Sequence, residues 1–294
     1  MRIASLLPAA TEMAAAVGLS DDLVAVTYEC DRPAGIRERC AVVVDTVLPF
    51  GLTPAEIDAV VRERAAAGLP LYTLDAAALA ALDPELLLTQ DLCRVCAVPA
   101  GTVDEALAGI GCRADVLTID PHTVADVLGA ISALGQRGGA APAAAALVAA
   151  LRRRLAAVRT AVAARHRPRV LVLEWIDPPY LPGHWVPELV RRAGGQPVGG
   201  RDGARSVPAS WSGLAELGPE VVVVAPCGFG LDAAVEQAAE VRHRWPALPI
   251  IAIDSASFVV RAGPRLVDGI EALAWALHPD AMPQPPPDRV VYLP

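Results

Sequence analysis

The chain has no lysine: all 25 of its Lys+Arg residues are arginine, set against 33 acidic residues for a formal charge of −8. That balance argues against a nucleic-acid or anionic-membrane surface, because both need clustered cations. No run reaches the ~20 apolar residues of a membrane span. The richest stretch, residues 140–151, holds Pro142 and ends on Arg152-Arg153-Arg154, so it reads as a helix of a soluble protein. A cationic region followed by an apolar stretch and a cleavage site is also missing. Met1-Arg2 leads directly into Ile3-Ala4-Ser5-Leu6-Leu7. The expectation is a cytoplasmic protein whose six cysteines stay reduced; a trimmed start would make it periplasmic or extracellular instead. There is no Ser-His-Asp order, phosphate loop or GxGxxG motif, so hydrolase and nucleotide readings have no support.

Aromatic residues are only 4% of the chain, so their concentration in one place carries weight. Glu174-Trp175-Ile176-Asp177-Pro178-Pro179-Tyr180-Leu181-Pro182-Gly183-His184-Trp185 follows the apolar run Arg169–Leu173, which reads as a buried parallel strand. Prolines fix φ and withhold N–H groups, so the stretch is expected to be a stiff, non-helical loop at a strand's carboxyl end. Ligands of open α/β sheets sit at that edge.

The first half alternates strand-like runs with helical patterns. The runs are Ile3–Leu7, Leu23–Thr27, Leu71–Leu74, Leu86–Thr89 and Val116–Ile119. Thr53-Pro54-Ala55-Glu56 predicts a capping box with proline at the first helical position. Thr102-Val103-Asp104-Glu105 repeats the box, and Thr123 with Asp126 opens another helix ending near Gln136. A longer helix is expected from Pro142 to about His166. Pro168 closes it, and it is read as a spacer. The second half restates the first. Leu82-Asp83-Pro84-Glu85 with its strand and Cys93 is matched by Leu217-Gly218-Pro219-Glu220 with its strand and Cys227, and Val116–Asp120 is echoed by Ile250–Asp254. The expected fold class is α/β: two Rossmann-like lobes with parallel sheets joined by one long helix, with a lobe at 1–140, the helix at 141–167, a second lobe at 168–294, and a cleft between their strand ends.

The opening Arg2–Glu12, with Gly18-Leu19 and Leu23–Thr27, resembles the first lobe of the periplasmic binding proteins for cobalamin and iron–siderophores, the substrate-binding proteins of ABC transporters. Leu82–Glu85, Ala193-Gly194-Gly195 and Gly263-Pro264-Arg265-Leu266 resemble further signatures of that family. Asp31-Arg32-Pro33 and Pro178-Pro179-Tyr180 with Gly183 are most similar to its cobalamin branch. The resemblance implies two Rossmann-like lobes on one helix, a ligand held between them with little closure, and a possible permease partner. The sequence departs from the pattern in lacking an export signal, in a helix-bearing insertion around 52–69, and in its cysteines. It also lacks a secure match to the family's docking acids, Glu216 being the one second-lobe candidate.

The leading functional expectation is a monomeric, non-enzymatic binder of cobalamin or a related corrinoid, for uptake, salvage or intracellular handling. Trp175, Tyr180, Trp185 and Trp211 supply flat stacking area at low entropic cost. Pro179 stiffens the same wall, and Asp31 and Asp177 are acceptors for a corrinoid's amides. His184 is a candidate lower axial ligand to cobalt. The competing expectation is a metalloprotein or enzyme on the same scaffold, with Cys30, Cys93, Cys96, Cys227 and Glu174 around zinc or an iron–sulfur cluster. Buried, unreactive thiols are the ordinary alternative for those cysteines. Haem or siderophore binding suits the fold but lacks the arginine cluster expected for an anionic ligand.

Overall fold

A computed structural model describes residues 1–90 and 114–293 of the chain. Its contacts form two compact units. Unit 1 comprises Met1–Pro121 with Leu128–Val148, and unit 2 comprises His122–Val127 with Ala149–Pro294. The Thr102 cap, Cys93 and Cys96 lie outside the described residues.

Unit 1 is built on β1 (Ile3–Ser5), β2 (Leu23–Thr27), β3 (Ala41–Thr46), β4 (Tyr72–Leu74), β5 (Leu86–Thr89) and β6 (Asp115–Thr118), in the order β4-β3-β2-β1-β5-β6. Every pair is parallel except β3 with β4. The sequence reading missed β3, although Val42-Val43-Val44 is the kind of β-branched run that favours a strand. Ala4, Leu6, Ala25, Val43, Leu79 and Leu87 form one core cluster here. The helix in the 52–69 stretch is present as Pro54–Ala66, with its capping box formed: Glu56 N donates to Thr53 Oγ1, and Thr53 N to Glu56 Oε2 at 2.7 Å. The bonds its carboxylate accepts, first from the Thr53 backbone N–H and then from the Thr53 hydroxyl, hold the Glu56 carboxyl below its ordinary pKa.

Unit 2 carries β7 (Arg169–Leu173), β10 (Gln196–Pro197), β12 (Val221–Val224), β13 (Ile250–Ile253) and β14 (Val290–Leu293) in the order β10-β7-β12-β13-β14, with only β14 antiparallel. A separate antiparallel sheet, β11-β9-β8, is made by β8 (Trp175–Ile176), β9 (Pro179–Leu181) and β11 (Val207–Pro208). The long helix runs Ala141–Val162, four residues shorter at its carboxyl end than expected; its last turn unwinds through an Arg165 N to Val162 O bond before Pro168. The helix opened by Thr123 spans Val124–Arg137. Thr123 N donates to Asp126 Oδ2 at 2.9 Å, and Asp126 N donates back to Thr123 Oγ1 at 3.1 Å. Burial pushes the Asp126 carboxyl up, but the bonds from Thr123 and His122 outweigh it and its pKa is lowered. No helix among the described residues is long and apolar enough to cross a membrane.

The internal repeat seen in the sequence is realised atom for atom at the start of two strands. Arg2 Nε donates to the Asp83 carbonyl (2.7 Å) and Arg2 N to Glu85 Oε2 (2.8 Å). Arg169 Nε donates to the Gly218 carbonyl (2.9 Å) and Arg169 N to Glu220 Oε2 (2.7 Å). Asp83 and Gly218 both take positive φ, 44° and 56°. A turn that must bring its carbonyl back to an arginine needs that left-handed residue, and Asp and Gly reach it most readily.

Candidate functional site: the aromatic hairpin of unit 2

The stretch expected to be a loop is a hairpin. β8 pairs with β9, placing Trp175 opposite Tyr180 and Ile176 opposite Pro179. Side chains alternate across a strand, so the two pairs point to opposite faces. Ile176 (4% exposed) and Pro179 are buried, and Ile176 joins the core with Leu171, Leu173, Val222 and Val224. Pro179 therefore serves the core face and is removed from the expected ligand contacts. Trp175 and Tyr180 are half-buried on the other face, where β11 adds Pro208 opposite Tyr180. The result is a flat row of Trp175, Tyr180 and Pro208. Asp177 is exposed at the tip, and its carbonyl accepts from Trp175 Nε1 at 3.1 Å. The Asp177-Pro178 peptide is cis.

The hairpin sits on the carboxyl edge of the unit 2 sheet. The backbone beyond β12 runs beside it, with Ala225 N donating to Leu173 O and Cys227 N to Glu174 O, both at 2.9 Å. This brings Phe229 to Trp175, with ring centroids 5.6 Å apart and planes inclined by 55°. Phe229 was missed in the sequence; its only signal was its place after a buried strand and a Pro-Cys-Gly turn. Ser255 Oγ donates to Ala225 O (2.9 Å) and Ala256 N to Phe229 O (3.0 Å), tying the loop after β13 to the same edge. Glu174 is buried and accepts a short hydrogen bond from Ser206 Oγ.

His184 has φ of 49°, and its backbone is clamped by His184 N to Ala204 O (2.7 Å) and Gly203 N to His184 O (2.9 Å). The preceding residue must be glycine, because a Cβ on Gly183 would lie 2.3 Å from the Ala204 carbonyl oxygen. His122, from the segment before the Val124–Arg137 helix, places its ring 6.4 Å from that of His184 and sets Nδ1 3.1 Å from the Gly203 carbonyl. Sequence reasoning gave His122 only a helix-starting role.

Two further tryptophans depart from the expectation. Trp185 is 4% exposed and donates Nε1 to the Val259 carbonyl at 2.7 Å, which makes it an interior brace between loops and not a ligand wall. Trp211 is not in a loop: Ser210 caps a helix that begins with it, the Ser210 oxygen accepting from Gly213 N. Its ring packs edge-on to Trp245 at 5.4 Å and under the Arg244 guanidinium at 4.5 Å, apart from the hairpin's ring contacts.

Asp31 is exposed in unit 1, after β2. Cys30, beside it, is 1% exposed and its sulfur lies 3.1 Å from Thr11 Oγ1 and 3.3 Å from Thr27 Oγ1. That is a core thiol inside a hydroxyl network. Cys227 belongs to unit 2 and is exposed. Among the described residues no three His, Cys, Asp or Glu side chains come together as a metal site. The zinc or iron–sulfur expectation also named Cys93 and Cys96, which lie outside the described residues; of the residues it named, Cys30, Cys227 and Glu174 are described and form no such cluster among themselves. At the outer end of the edge, Arg265 lies over the Phe258 ring (4.4 Å), and Arg289 reaches both that ring (5.2 Å) and Asp268 (3.3 Å).

No curated protein sequence matches the chain. Solved structures do match it along nearly their whole length. A periplasmic heme binding protein from Pseudomonas aeruginosa is 22% identical with a TM-score of 0.71, covering 99% of this chain and 97% of that one. The periplasmic vitamin B12 binding protein BtuF of Vibrio cholerae is 20% identical with a TM-score of 0.66, covering 94% and 96%. An ABC transporter substrate-binding protein from Listeria monocytogenes is 15% identical with a TM-score of 0.70, covering 95% and 98%. At these identities the likeness is one of fold. The periplasmic binding protein family model matches residues 3–243, and the chain, with its sheet order, its repeated strand-start clamp and its parallel α/β units, belongs to that family.

Proposed function

We propose that the chain is a non-enzymatic binding protein for a flat, metal-bearing macrocycle of the corrinoid class, held against the hairpin face of unit 2 and passed to an ABC permease. The observation that carries this reading is the cross-strand row Trp175–Tyr180–Pro208 with Phe229 against Trp175. Such a surface offers broad, rigid stacking area with little side-chain entropy to lose. Asp177 at the tip supports the reading as an exposed acceptor for the amides that rim a corrinoid. A haem needs cations for its propionates; on this edge Arg289 is paired with Asp268 and Arg265 lies over the Phe258 ring, so a direct comparison of the two ligands discriminates between them.

Titrating the protein with cyanocobalamin and, separately, haemin, read by absorbance and by tryptophan quenching, tests the proposal. Saturable cobalamin binding that weakens on Trp175→Ala is the expected result. Absence of binding up to near-millimolar cobalamin rejects it, and tight haemin binding with none of cobalamin replaces it by the haem reading.

A further inference from the structure

At the amino edge of the unit 2 sheet, away from the hairpin, the surface carries an open hollow of about 640 Å³. That lies within the range of small-molecule sites. Its position follows from its lining: Pro168 precedes β7, Val221 begins β12, and Tyr292 on antiparallel β14 pairs with Ile251 near the start of β13. Three chemistries meet there. Val221, Leu277 and Pro168 are apolar, Trp275 and Tyr292 are aromatic with Tyr292 46% exposed, Arg165 is an exposed cation and His166 an exposed imidazole.

We propose that this hollow binds a small aromatic carboxylate, independently of the ligand on the hairpin. In a chain of net charge −8, the run Arg165-His166-Arg167-Pro168-Arg169 is a concentration of cations. Two of them are committed elsewhere: Arg167 Nη2 donates to the Gly195 carbonyl (3.0 Å), and Arg169 Nε to that of Gly218 (2.9 Å). His166 is paired as well, its Nε2 3.6 Å from Glu220, which leaves Arg165 to face the hollow; the one carboxylate in the lining, Asp280, is exposed and so screened by water. A lining that holds one guanidinium and two aromatic rings suits a flat acid, the carboxylate taking the charge-assisted bond and the ring the stacking.

His278 reports on that field. It is 8% exposed, with Nε2 donating to the Gly194 carbonyl at 3.3 Å. Gly194 has φ of +90°, and a Cβ there would lie 2.5 Å from that nitrogen, so this close approach of the imidazole requires glycine. Its pKa is lowered first by burial, opposed by the Gly194 bond, and lowered further by the positive charges of Arg165 and His166. An anion entering the hollow offsets those charges and moves the His278 pKa back up.

The test uses 1-naphthoate and its uncharged analogue 1-naphthalenemethanol, with binding followed by NMR on the His278 Cε1–H resonance. Naphthoate is expected to saturate and to raise the His278 pKa, with the alcohol weaker by about tenfold for the loss of one charge-assisted contact. Arg165→Ala should weaken naphthoate by a similar factor and Trp275→Ala should abolish its binding; if the latter variant does not fold, Tyr292→Ala takes its place. Trp175→Ala, expected to weaken cobalamin, should leave naphthoate binding unchanged. Equal affinity for the alcohol, a His278 pKa that does not move, or loss of binding in Trp175→Ala overturns the proposal.

Discussion

Arg2 and Arg169 do the same work at equivalent strand starts, each holding the turn of a Pro-Glu motif through a backbone carbonyl and a glutamate. The other ends of those strands are unlike. β1 passes through residues 6–7 straight into the Pro8–Ala16 helix, while β7 runs through the whole 174–185 hairpin before the Val186–Arg192 helix begins. Unit 1 keeps Cys30 inside a Thr11–Thr27 network, whereas unit 2 turns Trp175 and Tyr180 outward beside an exposed Cys227. The repeated frame is thus conserved at the edge that sets strand register, and chemistry is added at the edge that carries loops. This is the division of labour expected of parallel α/β sheets.

If the two frames are equivalent, deleting a fully buried leucine from either should have the same large effect. Leu87→Ala and Leu171→Ala, both 0% exposed, are each expected to cost about 2–5 kcal/mol by urea denaturation. A markedly smaller loss in one would show that the units are not equally well packed.

The carboxyl edge of unit 2, in contrast, should separate binding from stability. Trp175→Ala is expected to weaken the proposed corrinoid at least about tenfold while leaving the midpoint of unfolding nearly unchanged, since the residue faces outward. Asp177→Ala at the hairpin tip should weaken it less than about fivefold, a single exposed acceptor being worth roughly 1 kcal/mol. The reverse ranking would move the principal contact from the ring row to the tip.

The matched clamps offer a finer comparison. Arg2→Ala and Arg169→Ala should each destabilise by about 1 kcal/mol in thermal unfolding, the net value of an intramolecular hydrogen bond of this kind. A large disparity would mean that one clamp carries packing the other lacks.

The smallest effect concerns pH. His278 has its pKa lowered by burial in the folded chain, so below about pH 6.5 the unfolded chain takes up a proton that the folded chain refuses. Its contribution to stability is therefore complete above that pH and declines as the solution is acidified through it. His278→Gln should flatten this part of the stability–pH profile; an unchanged slope would assign it to other groups.

Much of this was legible in the residues. The Thr53 and Thr123 caps, the parallel strands and the twin Pro-Glu motifs each depend on neighbours a few positions apart, and all reappear as bonds. The family resemblance, too, rests on short motifs of this sort. The site was less legible. Tryptophan and proline marked the right stretch, but whether Pro179 or Tyr180 points outward depends on the strand register, which pairing alone sets. Trp185 and Trp211 look alike in sequence, yet one donates to a carbonyl 74 residues away and the other packs under a helix end. Phe229 and His122 reach the site only because separate segments converge there.

Local sequence thus settled where helices begin, which runs become strands and that the frame is doubled, because capping, propensity and periodicity act over a few residues. Tertiary structure alone decided which aromatics form a surface and which thiol lies in the core, because burial and facing are properties of chain segments meeting in space, and no short window of sequence contains both partners.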